Sequence, residues 1–445
     1  MKISLFFNPR RFPGIASISL VVILIISTFT ASNLRWGKNR WKAIFGVDAK
    51  GYYSYLPAIF IYHDLNFNFY DSIENKHFKA DGIYDYREQI GSKWIDKYYC
   101  GTAICELPFF LTVYFAGNFS GNIYDGYEKP FAIAISIAAL FFLFLGLLYL
   151  RKFIKLYGVD KWNSALVLFA SVFGTNMLYY VAIAPGFSHV YSFAMVSVFL
   201  FSVKKYFLSL EKRHLIKVAL SLGIIVLIRP VNIMIVLSIP FLAASFNNLK
   251  VGIVKMLNKK MFLLLSLGVF IVTVSIQLII YKIATGEFFV YSYTTESFKF
   301  SDFNLFRFLF SYRKGLFLYS PVLFAALVSG LFYMWKKSRY EVIMYLYFFI
   351  ITSYVLSSWW MWWYGGSFGC RVFIEFIPLL TLLLGIALIN MRPILLKNLF
   401  VSLIIALMLF TQLQLYQYRI GYIHWDSMDY ERYWDVFLKV DILLN

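Results

Sequence analysis

The sequence predicts an all-α polytopic membrane protein with about eleven transmembrane helices, on three observations. Of 445 residues, 60% are hydrophobic and only 15% charged, against about 45–50% and about 25% in soluble globular chains. Apolar runs long enough to cross a bilayer recur along the whole length, so a soluble protein with one anchor is excluded. The basic residues, finally, are distributed with a side preference rather than scattered.

A spanning helix needs about 20 apolar residues, because about 1.5 Å of rise per residue must cover about 30 Å of hydrocarbon. Runs of that kind lie near 13–32, 130–150, 163–183, 187–203, 214–229, 231–246, 261–283, 315–335, 340–358, 372–390 and 395–416. The first is longer than a secretory h-region and exits through TASNLRWGK, a poor cleavage site, so an uncleaved helix is expected. The segment 101–117 contains Glu106 and Pro108 and is read as an interfacial or re-entrant helix. Making it a crossing would put Arg151, Lys152 and Lys155 outside. Residues 218–246 are too long for one crossing and short for two. Arg229-Pro230 breaks them in the middle and basic clusters flank both ends, which predicts a hairpin with Arg229 near its tip.

The charge pattern tests this map. Segments 1–12, 151–162, 204–213 with Lys217, 247–260, 336–341 and 391–397 hold 21 of the 42 Lys and Arg, but only Asp160, Glu211 and Glu341 among acids. By the positive-inside rule these face the cytoplasm, the N-terminus included, and the C-terminus lies outside. The net charge of +19 is then a topology signal and not a nucleic-acid footprint. The whole chain, 1–445, reads as one integral-membrane domain, with polar chemistry in an external first loop (33–129) that contains interfacial helices, an external loop at 284–314 and an external tail at 417–445. Cys100, Cys105 and Cys370 are too few for a disulfide scaffold and lack CxxC spacing; the first two either form a local disulfide or stay free.

Several motifs are excluded. There is no Walker A, HExxH or dinucleotide fingerprint, and the five histidines lack zinc spacing. Gly365 to Gly369 matches GxSxG, but it joins two membrane helices where a hydrolase needs a strand before the turn.

At VDAKGYYSYLPA, YYCGTAICELPFF, PGFSHVYSF, RPVN, YSPVLF and WWMWWYGGSFGCR the chain resembles the GT-C superfamily of integral-membrane glycosyltransferases, and most closely bacterial members related to protein O-mannosyltransferases and lipid A aminoarabinose transferases. The resemblance implies a catalytic Asp in the first external loop, and Asp48 is the matching position. Many relatives carry a second acid beside it. Here the neighbours are Val47 and Ala49, so no cofactor is assigned: a divalent cation stays open but lacks the support of a second adjacent acid.

The chemistry has a physical logic of its own. Outside a bacterial inner membrane a sugar donor must arrive on a lipid, and a polyprenyl phosphate keeps its tail in hydrocarbon and its sugar at the rim. Transfer needs a base for the acceptor hydroxyl, the role expected of Asp48 in an inverting reaction. It also needs cations on the departing phosphate: Arg371, Arg229 and Lys50. Tyr52, Tyr53, Trp362 and Tyr364 are expected to contact sugar or acceptor, with Glu106 and His189. The acceptor is a lipid, a glycan or a protein. Plainer readings exist for each polar residue: Asp48 as a helix cap, Arg371 paired with Glu375 at i,i+4, His189 as a corner residue, Glu106 as an idle interfacial acid. A transporter or flippase, or an O-antigen polymerase-like protein, is the competing function. Transfer predicts that Asp48, Arg371 and Arg229 line one external cavity.

Overall fold

The computed structural model describes residues 14–78 and 84–441; Lys2, Arg10 and Arg11 of the first basic segment lie outside these. The chain is a helical bundle with α1 (Ile15–Arg35), α2 (Asp48–Pro57), α3 (Gly101–Phe119), α4 (Lys129–Lys155), α5 (Lys161–Phe173), α6 (His189–Ser209), α7 (Arg213–Ile228), α8 (Ile239–Ala243), α9 (Phe246–Asn258), α10 (Lys260–Thr285), α11 (Pro321–Trp335), α12 (Arg339–Ser357), α13 (Ile377–Asn390) and α14 (Ile394–Arg419). The sheet among the described residues is one antiparallel hairpin in the first long loop, β1 (Arg87–Ile90) and β2 (Lys93–Asp96), which the sequence reading did not anticipate.

Eight helices among the described residues are long and apolar enough to cross a membrane, or up to nine if the bent pair Pro230–Ala243 and Phe246–Asn258 is counted as one span. The chain is therefore an all-α multi-pass membrane protein. The other segments of the eleven-span map are shorter: α5 has 13 residues, α7 has 16 and α11 has 15. One of the eight, by length and composition, is α3, expected as an interfacial or re-entrant helix; Pro108 sits inside it and does not interrupt the helix. Gly101 explains how α3 docks. A Cβ there would fall 2.2 Å from the Ile228 backbone nitrogen, so α3 starts flush against the end of α7. Gly101→Ala is expected to force that junction apart at about 1–3 kcal/mol, visible as a lowered thermal midpoint of the purified chain.

The 218–246 stretch resolves its length problem through a change of helix type. After Arg229 the chain runs as a 3-10 helix over Pro230–Ser238 and then as α8. A 3-10 rise of about 2.0 Å per residue stretches these residues to about 25 Å, where an α-helix would reach about 21 Å. Two unequal arms therefore fit, and the expected hairpin with Arg229 at its turn is present.

Burial orders the bundle. The apolar window of Arg371–Asn390 is 94% buried, so this segment is the axis, while Lys260–Thr285 (17%) and Ile394–Arg419 (11%) line the outside. The described basic segments gather at one end: Arg151 donates to Ser17 Oγ at 2.8 Å, and Lys204 donates to the Leu242 carbonyl at 3.1 Å and covers the Tyr157 ring. At the other end Arg35 donates to the Ile183 carbonyl, and the long loops assemble.

Candidate functional site

Asp48 opens α2, and the residue before it is strained: Val47 has φ 52. A β-branched side chain in that region costs about 1–3 kcal/mol and persists only where surrounding structure enforces it, a pattern concentrated at functional sites. Asp48 does not cap the helix; no side chain does. Its carboxylate instead accepts from Arg371 Nη1 at 2.7 Å, with both side chains nearly buried. Burial pushes the carboxyl up, but the Arg371 guanidinium and the Tyr98 hydroxyl outweigh it and hold Asp48 below its ordinary value.

A second ion pair lies beside the first. Glu375, fully buried, accepts from Arg229 Nη1 at 3.3 Å and bonds His189 Nδ1 at 3.0 Å. Its other oxygen has no partner. The expected Arg371–Glu375 pairing is absent for a geometric reason. Residues Arg371–Phe376 form a 3-10 helix, whose three residues per turn point i and i+4 in different directions, so each takes its own partner. Tyr52 stands within electrostatic reach of Asp48, Arg229 and Arg371, which ties the two pairs together. The Arg229 guanidinium lies 5.8 Å from the Tyr364 ring centroid and that of Arg371 lies 5.3 Å from Phe187.

The structure thus gathers Asp48, Arg371, Arg229, His189, Tyr52 and Tyr364, and gives the other expected residues contacts of their own. Lys50 is turned away: it pairs with Glu74 and lies over the Phe78 ring at 4.3 Å. Helical geometry dictates this, since residues two apart occupy opposite faces while Asp48 and Tyr52, four apart, share one. Tyr53 donates to the Gly126 carbonyl within an aromatic cluster with Phe45, Phe110 and Tyr127. Glu106 accepts from the Tyr191 hydroxyl at 2.9 Å, in an adjoining buried spot. Trp362 packs edge-on to Trp363, 5.7 Å between centroids. The three cysteines are free and buried.

Sequence reasoning missed the residues that hold this end shut. Tyr98 packs against Tyr52 in a tilted pair, 4.4 Å between ring centroids, and bonds Tyr84. The segment 292–304 crosses over them as a strap. Its Lys299 amide donates to the Ser358 carbonyl at 2.6 Å, and the Trp360 amide donates to the Ser297 carbonyl at 3.1 Å. Tyr293 packs against both Tyr98 and Trp359, and Glu296 pairs with Lys97 at 3.5 Å. Lys314, also missed, is buried and donates to the carbonyls of Ser367 and Trp425, pinning the glycine-rich corner that precedes Arg371 to the C-terminal segment. Burial lowers its ammonium to about 7, against the pull of Asp426. The tyrosines escape sequence reading because 34 of them are spread through the chain. The only hint of Tyr98 was its place in the YYCGTAICELPFF motif.

The expected open cavity is a correction. Asp48, His189 and Glu375 are 8%, 2% and 0% exposed, and two surface clefts lie elsewhere. One, of about 620 Å³, is lined by Ile15, Asp160, Lys161 and Trp162 at the basic end. Another, of about 330 Å³, lies between His63, Asn66 and Ala284. Strap and tyrosines together close the charged cluster. The GxSxG serine is not set up as a nucleophile, for its hydroxyl lies against the carbonyls of Gly365 and Gly369. Among the described residues no three His, Cys, Asp or Glu side chains are arranged to hold a metal ion. No protein-family model and no curated protein sequence matches the chain.

Proposed function

We propose that the chain is a glycosyltransferase that moves a sugar from a polyprenyl-phosphate-linked donor to an acceptor hydroxyl at the periplasmic face of a bacterial inner membrane. The observation that carries this reading is the buried Asp48–Arg371 pair with Arg229 beside it, at the bundle end opposite the basic segments. With the basic end cytoplasmic by the positive-inside rule, this cluster faces outward. Along α6, His189 lies fifteen residues from Lys204, about 22 Å of rise. That depth falls short of the full hydrocarbon thickness of about 30 Å, within reach of a lipid phosphate that has sunk from the outer rim. The eleven-crossing topology accompanies this orientation.

In the proposed reaction the acceptor oxygen attacks the anomeric carbon, the bond from that carbon to the phosphate oxygen breaks, and the acceptor proton passes to Asp48. Inversion follows from the single displacement. Arg371 and Arg229 receive the charge that develops on the departing polyprenyl phosphate, in a poorly hydrated pocket where such charge is otherwise costly. A carboxylate gripped by a guanidinium is a poor base. The donor's phosphate, by taking over Arg371, loosens that grip and raises the basicity of Asp48 when the acceptor needs it. Tyr52 and Tyr364 offer ring faces to the sugar, and His189 is held by Glu375 as a polar wall. The strap must lift for the donor to enter.

The test is transfer in proteoliposomes: the purified chain with polyprenyl-phosphate-linked sugars and a membrane extract as acceptor source, followed by mass spectrometry of the products. The reading expects new glycosides in the extract, and consumption of donor without any product would refute it.

A further inference from the structure

We infer that α9, with the turn before α7, forms a binding surface for anionic phospholipid headgroups on the basic end of the bundle. This stands apart from the proposed reaction. The chain bends by 116° between the Pro230–Ala243 stretch and α9, so α9 runs across the bundle rather than along it. It is seated there by a flush contact: Tyr206 Oη donates to the Gly252 carbonyl at 2.7 Å, and a Cβ on Gly252 would fall 2.5 Å from the Phe207 ring. Gly252 is the only buried residue of the helix. Phe246, Leu249, Ile253, Met256 and Leu257 recur at helical spacing on one face, and Phe246 (68%) and Leu257 (51%) are exposed. A helix with such an arc, lying across the end of a membrane bundle, belongs in the interface with that arc in the acyl boundary.

The charge around it selects the headgroup. Lys250, Lys255, Lys259 and Lys260 are all exposed, and no Asp or Glu occurs from 246 to 286. The fold adds Lys212, which is distant in sequence and is brought over the Phe262 ring at 4.0 Å. The nearby acid, Glu211, is paired with Arg213. Cations flank an apolar arc with no local counter-charge, so anionic headgroups complete the surface. A lysine near an anionic leaflet is worth about 1 kcal/mol, or about fivefold in local lipid enrichment.

The test reconstitutes the full chain in nanodiscs of mixed phosphatidylcholine and phosphatidylglycerol and counts retained lipids by native mass spectrometry after gentle detergent release. Wild type is expected to retain phosphatidylglycerol at least fivefold above its bulk share. K250Q/K255Q/K259Q/K260Q is expected to fall to the bulk share, while K336Q/K337Q/R339Q, which removes charge from a different turn at the same end, keeps most of the enrichment. Raising the salt on wild type alone is expected to strip it as well, which keeps the test decisive if the fourfold variant fails to fold. Retention at the bulk share in wild type, an unchanged fourfold variant, equal loss in both variants, or enrichment that survives high salt would overturn the assignment.

Discussion

Asp48→Asn is expected to insert into the membrane and retain the fold while losing sugar transfer by about 10²–10⁴-fold, the range for removal of a general base. Asn keeps an oxygen that can accept from Arg371, so the arginine is not stranded. Stability falls, and the rate must be normalised to the folded fraction. The pH profile gives an independent reading. Arg371 and Tyr98 overcome burial and hold the Asp48 carboxyl below the ordinary carboxylate range of about 3.9. The carboxylate is therefore ionised throughout the neutral range, and kcat/KM should show no acid limb from Asp48 above about pH 5. The linkage has a matching sign: a depressed folded-state pKa contributes stability above the unfolded value, and this is lost as pH falls through the folded one. An Asp48→Asn variant with near-normal turnover would end its assignment as the base.

Glu375→Ala is expected to be the most damaging single change to stability. Glu375 is fully buried and is a partner of both Arg229 and His189. Removing one member of a buried ion pair costs about 3–5 kcal/mol because the partner's charge stays buried without compensation. Glu375→Gln keeps an acceptor oxygen and should cost clearly less. Thermal unfolding of the detergent-solubilised chain orders the three proteins: wild type, then Gln, then Ala. An Ala variant as stable as wild type would mean that Glu375 organises neither neighbour.

Much of the architecture was legible because membranes impose simple rules. Apolar length located α1, α4, α6, α10, α12 and α14 closely, since hydrocarbon thickness sets a residue count. Arg229-Pro230 marked the hairpin turn because proline and a buried guanidinium both demand special surroundings. Helix type, by contrast, was hidden. Nothing in the composition of 230–238 or 371–376 announces a 3-10 winding, and it is that winding that extends one arm and separates Arg371 from Glu375. At the site, chain proximity misled. Lys50 is two residues from Asp48 yet on the opposite face, whereas Arg371 is more than three hundred residues away and touches it. The closing strap was invisible for a different reason: its hydrogen bonds to 357–360 use backbone groups, which any residue type supplies.

The proposed transfer requires this closed, charged end to accept a lipid phosphate. The direct measurement is binding of a polyprenyl phosphate to the full chain in nanodiscs, read by native mass spectrometry, for wild type and for D48N/R371Q. The double substitution removes both charges together and leaves neither buried alone. Saturable one-to-one binding by wild type, weakened at least tenfold in the double variant, is the predicted result. Binding no tighter than that of bulk phospholipid, or equal in the two proteins, would contradict it.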